Sequence, residues 1–220
     1  MKIKAILTGA TGMVGEGVLH ECLNHPDVES VLVLGRKPCG ISHSKLSEIL
    51  HSDFFDISSI AGKLSGYNAC FFCLGVTSVG LKEAEFFKLT NTLTLNVART
   101  LSELNPEMTF GYISAAFADN TEKGKTMWAR VKGKTENDLM KLPFKQVYIF
   151  RPGYLHPTPG LLNQLSYYKY ITWMYPLLKL MTPNHVSTLK ELGLAMIHSV
   201  TKGYSKNILE VKDIKALAKE

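Results

Sequence analysis

No other stretch constrains this chain as much as Met1 to Gly15. An apolar run, Ile3, Ala5, Ile6 and Leu7, ends at Thr8 and meets three glycines in the pattern Thr8-Gly-Ala-Thr-Gly-Met-Val-Gly15. A strand covered on both faces needs no polar alternation, so the run reads as a buried parallel strand. Val14, Val18, Leu19 and Cys22 then recur at helical spacing. Strand, glycine turn and helix together make the context in which such glycines hold a dinucleotide phosphate. Gly9 permits the tight turn, Gly12 lets the backbone approach the pyrophosphate, and Gly15 lets the helix pack closely on the strand. The helix start adds free N–H groups and a partial positive charge. Thr8, Gly9, Thr11, Gly12, Met13, Val14 and Gly15 are therefore the expected phosphate loop.

Strands and helices alternate along the rest of the chain. After the His25-Pro26-Asp27 turn, Val28 to Leu34 reads as a second buried strand, ended by Gly35-Arg36-Lys37-Pro38. A short strand is expected from Leu46 to Leu50, a short helix from Ile57 to Leu64 and a fourth strand from Ala69 to Leu74. Phe86, Leu89, Leu93, Val97 and Leu101 share one face of a helix from about Lys82 to Leu104, which Asn105-Pro106 stops. A strand from Thr109 to Ser114, a helix from Met127 to Leu142 and a strand from Gln146 to Phe150 follow. This spacing implies a doubly wound parallel sheet flanked by helices.

Beyond Tyr154 the pattern changes. His156-Pro-Thr-Pro-Gly160 is a rigid loop, and Tyr167, Tyr168, Tyr170, Trp173 and Tyr175 crowd an amphipathic stretch ending at Pro176. Leu177 to Met181 continues it, Val186 to Val200 reads as a helix, and Asn207 to Val211 as a late strand. The expectation is one domain over residues 1–220, with 154–220 forming a small C-terminal helical region that acts as substrate platform or lid. For the aromatic stretch, a lid helix packed on the core is set against a pocket lining, a subunit interface and a membrane surface.

Composition narrows the function classes. A chain of 220 residues, 45% hydrophobic, can bury one substantial core and is short for two full domains. No signal-peptide pattern and no transmembrane-length apolar run is present, so a cytoplasmic location without an integral membrane segment is expected. The four cysteines are irregularly spaced, against a disulfide framework. Cys70 and Cys73 have the spacing of a metal or redox pair, but residues three apart on a strand face opposite sides. Core packing is the better reading, and no metal is expected. The net charge of +6 is spread along the chain, which suits a polyanionic cofactor and gives nucleic-acid binding little support. Oligomeric state is left open.

With these motifs in place, the chain resembles the short-chain dehydrogenase/reductase superfamily in its atypical and extended, epimerase/dehydratase-like branches. The first loop matches the family's TGxxGxxG, and Asp53-Phe54 matches the acidic position that binds the adenine. Leu74-Gly75 falls at the fourth-strand loop beside the cofactor. Arg151-Pro152-Gly153 resembles the sixth-strand motif that borders the nicotinamide, which puts Pro152 and Gly153 against it. The segment from Cys70 to Gly153 also resembles the subset related to the Tat-interacting, oxidoreductase-like protein. The resemblance implies a Rossmann-like fold, an NAD(P) cofactor and carbonyl or hydroxyl chemistry on a small molecule.

Which dinucleotide is bound can be argued from charge. NAD-preferring proteins often place a carboxylate roughly 20 residues past the glycines, on the ribose 2′-hydroxyl. Arg36 and Lys37 stand there instead, and a guanidinium can bind a 2′-phosphate that a carboxylate would repel. NADP is expected over NAD.

The family's catalytic set is incomplete. Its tyrosine, four residues before a ribose-holding lysine, corresponds to Trp128 before Lys132. Indole N–H donates a hydrogen bond but is neither acid nor base at neutral pH. The family's active serine falls on Ala115 in the simplest register, or on Ser114 if the register moves by one. Losing the general acid typically costs 10²- to 10⁴-fold. Thr126, Tyr154, Tyr167 and Tyr168 are alternative proton donors, none at the family's spacing from Lys132. Two readings stay open: an oxidoreductase or epimerase with a displaced donor, and an inactive dinucleotide-sensing regulator or scaffold.

Overall fold

The computed structural model describes residues 2–163 and 175–220. β1 (Ile3–Thr8) forms where the apolar run requires it, with Ile3, Ala5, Ile6 and Leu7 wholly buried. Alternation sends its side chains into two cores. Ile3, Ala5 and Leu7 meet Val18, Leu19 and Cys22 of α1 (Met13–Asn24), while Ile6 joins Leu95, Val97, Ala98 and Leu101 on the other face. β2 (Val28–Gly35) and β3 (Leu46–Leu50) extend one wing. β4 (Ala69–Phe72), β5 (Thr109–Ile113) and β6 (Gln146–Arg151) extend the other.

The expected short helix is a 3-10 turn over Ser58–Lys63. The expected long helix runs as α2 (Glu83–Phe87), a π turn at Lys88–Thr92 and α3 (Leu93–Leu104). Asn105 ends it with an observable purpose. Its amide oxygen accepts from Gly66 N–H at 2.8 Å and its amide nitrogen donates to the Leu64 carbonyl at 2.9 Å, so the helix end ties down the approach to β4. α4 (Met127–Leu139) lies on the same face.

Further along come β7 (Tyr154–His156), α5 (Tyr175–Met181), β8 (Val186–Thr188), α6 (Leu189–Thr201), β9 (Ile208–Glu210) and α7 (Val211–Leu217). The main sheet has seven strands in the order β3-β2-β1-β4-β5-β6-β9. Every neighbouring pair is parallel. This is a Rossmann-like α/β fold, and its strand order reverses between β1 and β4, where ligands of such sheets bind.

Several boundaries differ from the expectation. β4 stops at Phe72, because beyond it Thr8 Oγ1 accepts the Leu74 N–H and β1 has turned into Gly9. Val186 to Thr188 is not helical but pairs with β7 as a second, two-stranded sheet. The reason is a capping box: Thr188 Oγ1 accepts from Glu191 N–H at 3.0 Å, and the Glu191 carboxylate accepts from Thr188 N–H at 2.8 Å. That box starts α6 at Leu189.

The region expected as a C-terminal lid divides. α6 packs on α1, β9 is the outer strand beside β6, and Ile214 and Leu217 of α7 enter the α1 core. α5 instead exposes Leu177, Leu180 and Met181. Tyr167, Tyr168, Tyr170 and Trp173 lie outside the described residues. Cys70 and Cys73 do face opposite cores, and all four cysteines are free. Among the described residues, no helix is long and apolar enough to cross a membrane.

Candidate dinucleotide site

The loop after β1 has the geometry a phosphate cradle needs. Gly9 has φ +74°, and a Cβ there would lie 2.7 Å from the Cys73 carbonyl oxygen, so both conformation and space demand glycine. A Cβ on Gly15 would come within 2.0 Å of the Gly9 oxygen, which locks the first turn of α1 onto the loop. Gly12 is different. Its added Cβ would sit 3.5 Å from the Gly9 oxygen, an ordinary contact, so nothing inside the chain requires glycine there. Its bareness suits the approach of a ligand. Gly12 is also the N-cap of α1, without a side-chain cap, so the first N–H groups of that helix keep no competing side chain.

Around this loop the strand ends gather half of the expected cofactor residues. A cleft of about 360 Å³ is lined by Gly9, Thr11, Arg36, Lys37, Phe54 and Leu74, among others. A neighbouring cleft of about 130 Å³ adds Asp53, Gly75, Leu89 and Leu93, and shares Arg36, Phe54 and Leu74 with the first. The two form one groove across the point where the strand order reverses. Arg36 and Lys37 are exposed at the end of β2. Asp53 Oδ1 accepts from the Phe55 N–H at 2.8 Å, which fixes the turn after β3 and holds Phe54 buried under the groove. Met13 and Val14 begin α1, with Met13 and Thr8 turned into the protein.

The expected reaction corner is built differently. Trp128 stands in the first turn of α4, half-buried, and Lys132 follows one turn later. Lys132 Nζ donates to Tyr112 Oη and to the Ile113 carbonyl, each at 3.3 Å. Burial, partly offset by the charge of Glu136, lowers the Lys132 ammonium to a pKa of about 8. Ser114 is buried, and its hydroxyl donates to the Glu136 carboxylate. Glu136 is itself paired with Arg151, which reaches it through Nε at 3.0 Å and through Nη2. Arg151 also contacts Asn120 and, at 3.2 Å, Glu210. The Pro152 carbonyl accepts from Ala116 N–H at 3.2 Å, and Gly153 passes so close to His185 that a Cβ would meet its carbonyl at 2.2 Å. Of the other proton-donor candidates, Thr126 is the exposed N-cap of α4 and Tyr154 sits on β7.

Sequence reasoning missed two residues of this corner, Tyr112 and Glu136, and one at the start of α1, Glu16. Tyr112 could have been found from strand alternation, since it shares a face with Phe110, and both lie in the α3/α4 core. Glu136, one turn beyond Lys132, carried a signal only as a charge inside an amphipathic helix. Glu16 is a buried carboxylate in the first turn of α1 that accepts the N–H groups of Leu162 at 2.8 Å and Asn163 at 2.7 Å. Its partners lie far along the chain, so no local pattern announces it.

A parallel sheet with a glycine cradle at its reversal point defines the class: a nucleotide-binding domain of the dinucleotide type. The chain belongs to the NAD dependent epimerase/dehydratase family, whose model matches residues 5–135 and whose typical cofactor is an NAD(P) dinucleotide. It is 26% identical over 158 residues to protein FMP52, mitochondrial, of Meyerozyma guilliermondii, covering 70% of this chain and 65% of that protein. It is 25% identical over 151 residues to protein HTATIP2 of Rattus norvegicus, covering 68% of this chain and 61% of that one. The match thus spans less than two thirds of either relative. Among solved structures, the Bordetella bronchiseptica enzyme WbmG in complex with NAD superposes with a TM-score of 0.68 at 13% identity, over 99% of this chain and 77% of that one. At that identity the likeness concerns the fold.

Proposed function

We propose that this chain binds NADP in preference to NAD, and that it is an oxidoreductase or epimerase for a small carbonyl or hydroxyl compound with a non-standard proton donor. The observation that carries the reading is the groove in which Gly9, Thr11, Arg36, Lys37, Phe54 and Leu74 meet. Next to the groove in sequence, the bare Gly12 and the uncapped helix start fit a pyrophosphate. The Arg36 and Lys37 charges fit a 2′-phosphate, and the apolar Phe54, Leu89 and Leu93 fit an adenine. Lys132 is assigned to the nicotinamide ribose, with Pro152 and Gly153 beside the ring. When bound, the nicotinamide supplies hydride transfer. The cytoplasmic location expected from the sequence belongs to this proposal, whereas the similar FMP52 of Meyerozyma guilliermondii is mitochondrial.

Titration calorimetry with both reduced dinucleotides tests the cofactor assignment. NADPH is expected to bind at least about tenfold more tightly, the effect of one charge-assisted contact. Equal or tighter NADH overturns it.

A second reading, an inactive dinucleotide sensor, is favoured by Trp128 and by the engagement of Ser114 with Glu136. A Trp128→Tyr variant separates the two. Should the rest of the site be assembled, the new phenol beside Lys132 is expected to raise NADPH-dependent carbonyl reduction by about 10²-fold or more. If neither protein turns over despite tight binding, the sensor reading stands and the enzyme reading falls.

A further inference from the structure

We propose that Tyr112 is the positioning residue for Lys132: the phenol on β5 and the Ile113 carbonyl hold the Lys132 ammonium at the end of the sheet, a place that the indole of Trp128 cannot serve. Tyr112 is 1% exposed, so it touches no ligand and acts only through the lysine. Its ring packs 6.2 Å from Phe72, which fixes its direction, and Lys132 Nζ lies 5.1 Å from the Tyr112 ring centroid as well as 3.3 Å from its oxygen. Both hydrogen-bond partners of Nζ are uncharged.

The neighbouring charges are committed elsewhere. On α4, Glu136 is taken by Arg151 of β6 and by Ser114, and Asp138 by Lys134 and Lys141. From α2, Glu83 pairs with Arg130, while from the π turn Asn91 donates to Asp138 and Lys88 lies over the Phe55 ring. In the loop before α4, Asp119 caps Thr121 and Gly124, and Glu122 accepts from Asn137. The phenol and the carbonyl are thus the groups that hold the ammonium directly, while the charge of Glu136 also favours it and burial lowers its pKa to about 8. The inference rests on the ribose-holding role assigned to Lys132 for its effect on cofactor affinity, but its structural core can be read without cofactor.

The test uses the full chain labelled with [13Cε]lysine, the Lys132 signal being assigned with Lys132→Arg. In the unsubstituted protein its titration midpoint is expected at about 8. In Tyr112→Phe, which keeps the ring in place, the midpoint should fall by about one unit or more, because the ammonium loses its phenolic acceptor. An unshifted midpoint in that variant overturns the proposal. So does the absence, in the unsubstituted protein, of a cross-peak between the Lys132 ε-methylene and the Tyr112 ring, which the 5.1 Å approach requires, a result available even if the variant does not fold. NADPH affinity supplies the functional arm: it should weaken as pH rises through 8, and do so at lower pH in Tyr112→Phe. If Lys132→Met binds NADPH as tightly as the unsubstituted protein, the ribose role fails while the lysine titration still decides the role of Tyr112.

Discussion

A methyl group added at Gly12 meets nothing closer than 3.5 Å, whereas one at Gly15 meets a backbone oxygen at 2.0 Å. Two alanine substitutions three residues apart should therefore fail in opposite ways. Gly15→Ala gains about 1 kcal/mol of helix propensity but must move the turn, and a net loss of about 3 kcal/mol or more is expected in urea denaturation. Gly12→Ala should leave stability within about 1 kcal/mol and lower NADPH affinity by about tenfold or more. Equal stability losses for the two would mean that Gly12 is only structural. These glycines were legible because the motif is contiguous. Ser114, Glu136 and Arg151 were not read as one cluster, because three different elements bring them together. Ser114 was expected as an alternative catalytic hydroxyl, and only its neighbours reveal that it donates to a buried carboxylate.

Elements were legible where periodicity and punctuation agreed. The apolar strands β1 and β2 and the Asn105-Pro106 stop of α3 needed no tertiary information. The start of α6 did, because Val186 and Ser187 fit a helical pattern and are drawn into a strand by pairing with β7. A cap of the same type sets α7, which the sequence reading did not contain. Asp213 accepts from Glu210 N–H at 3.2 Å, from Lys206 Nζ at 2.7 Å and from Tyr204 Oη at 3.1 Å. Burial opposes its charge, but these donors outweigh burial and hold its carboxyl below the usual aspartate value. A depressed folded-state pKa adds stability above the unfolded value, and that stability is lost as pH falls through the folded one. Asp213→Asn is expected to cost about 1–2 kcal/mol at pH 7. Measured by denaturation against pH, the gap between the two proteins should close below about pH 4. A gap of the same size at every pH would assign the effect to packing.

At the scale of the whole molecule, the last strand and helix are buried with the rest of the core. Leu209, Val211, Ile214 and Leu217 are each no more than 2% exposed. At about 1.5–3 kcal/mol apiece, their burial is comparable with the total stability of about 5–15 kcal/mol typical of a domain. A chain ended after Lys206 is therefore expected to lose cooperative thermal unfolding altogether, as followed by circular dichroism. A lid could be removed without that consequence, so a sharp transition in the shortened chain would favour the lid reading for this segment.

The glycine loop, the parallel sheet and the groove residues Arg36, Lys37, Asp53, Phe54, Leu74 and Gly75 were determined by the sequence alone. The loop, the sheet and the Arg36-Lys37 pair follow from neighbours in the chain, an apolar run, a turn or a strand end, while Asp53, Phe54, Leu74 and Gly75 came from the family resemblance. The tertiary structure alone decided that Lys132 meets Tyr112, that Ser114 supports Glu136, and that the chain's end completes the sheet. Those contacts join residues distant in sequence, where the deciding quantities are burial and the pairing of charge, and neither has a local signature. The loop at Gly9, Gly12 and Gly15 is laid down by one contiguous motif, whereas the surroundings of Lys132 come from three separate elements.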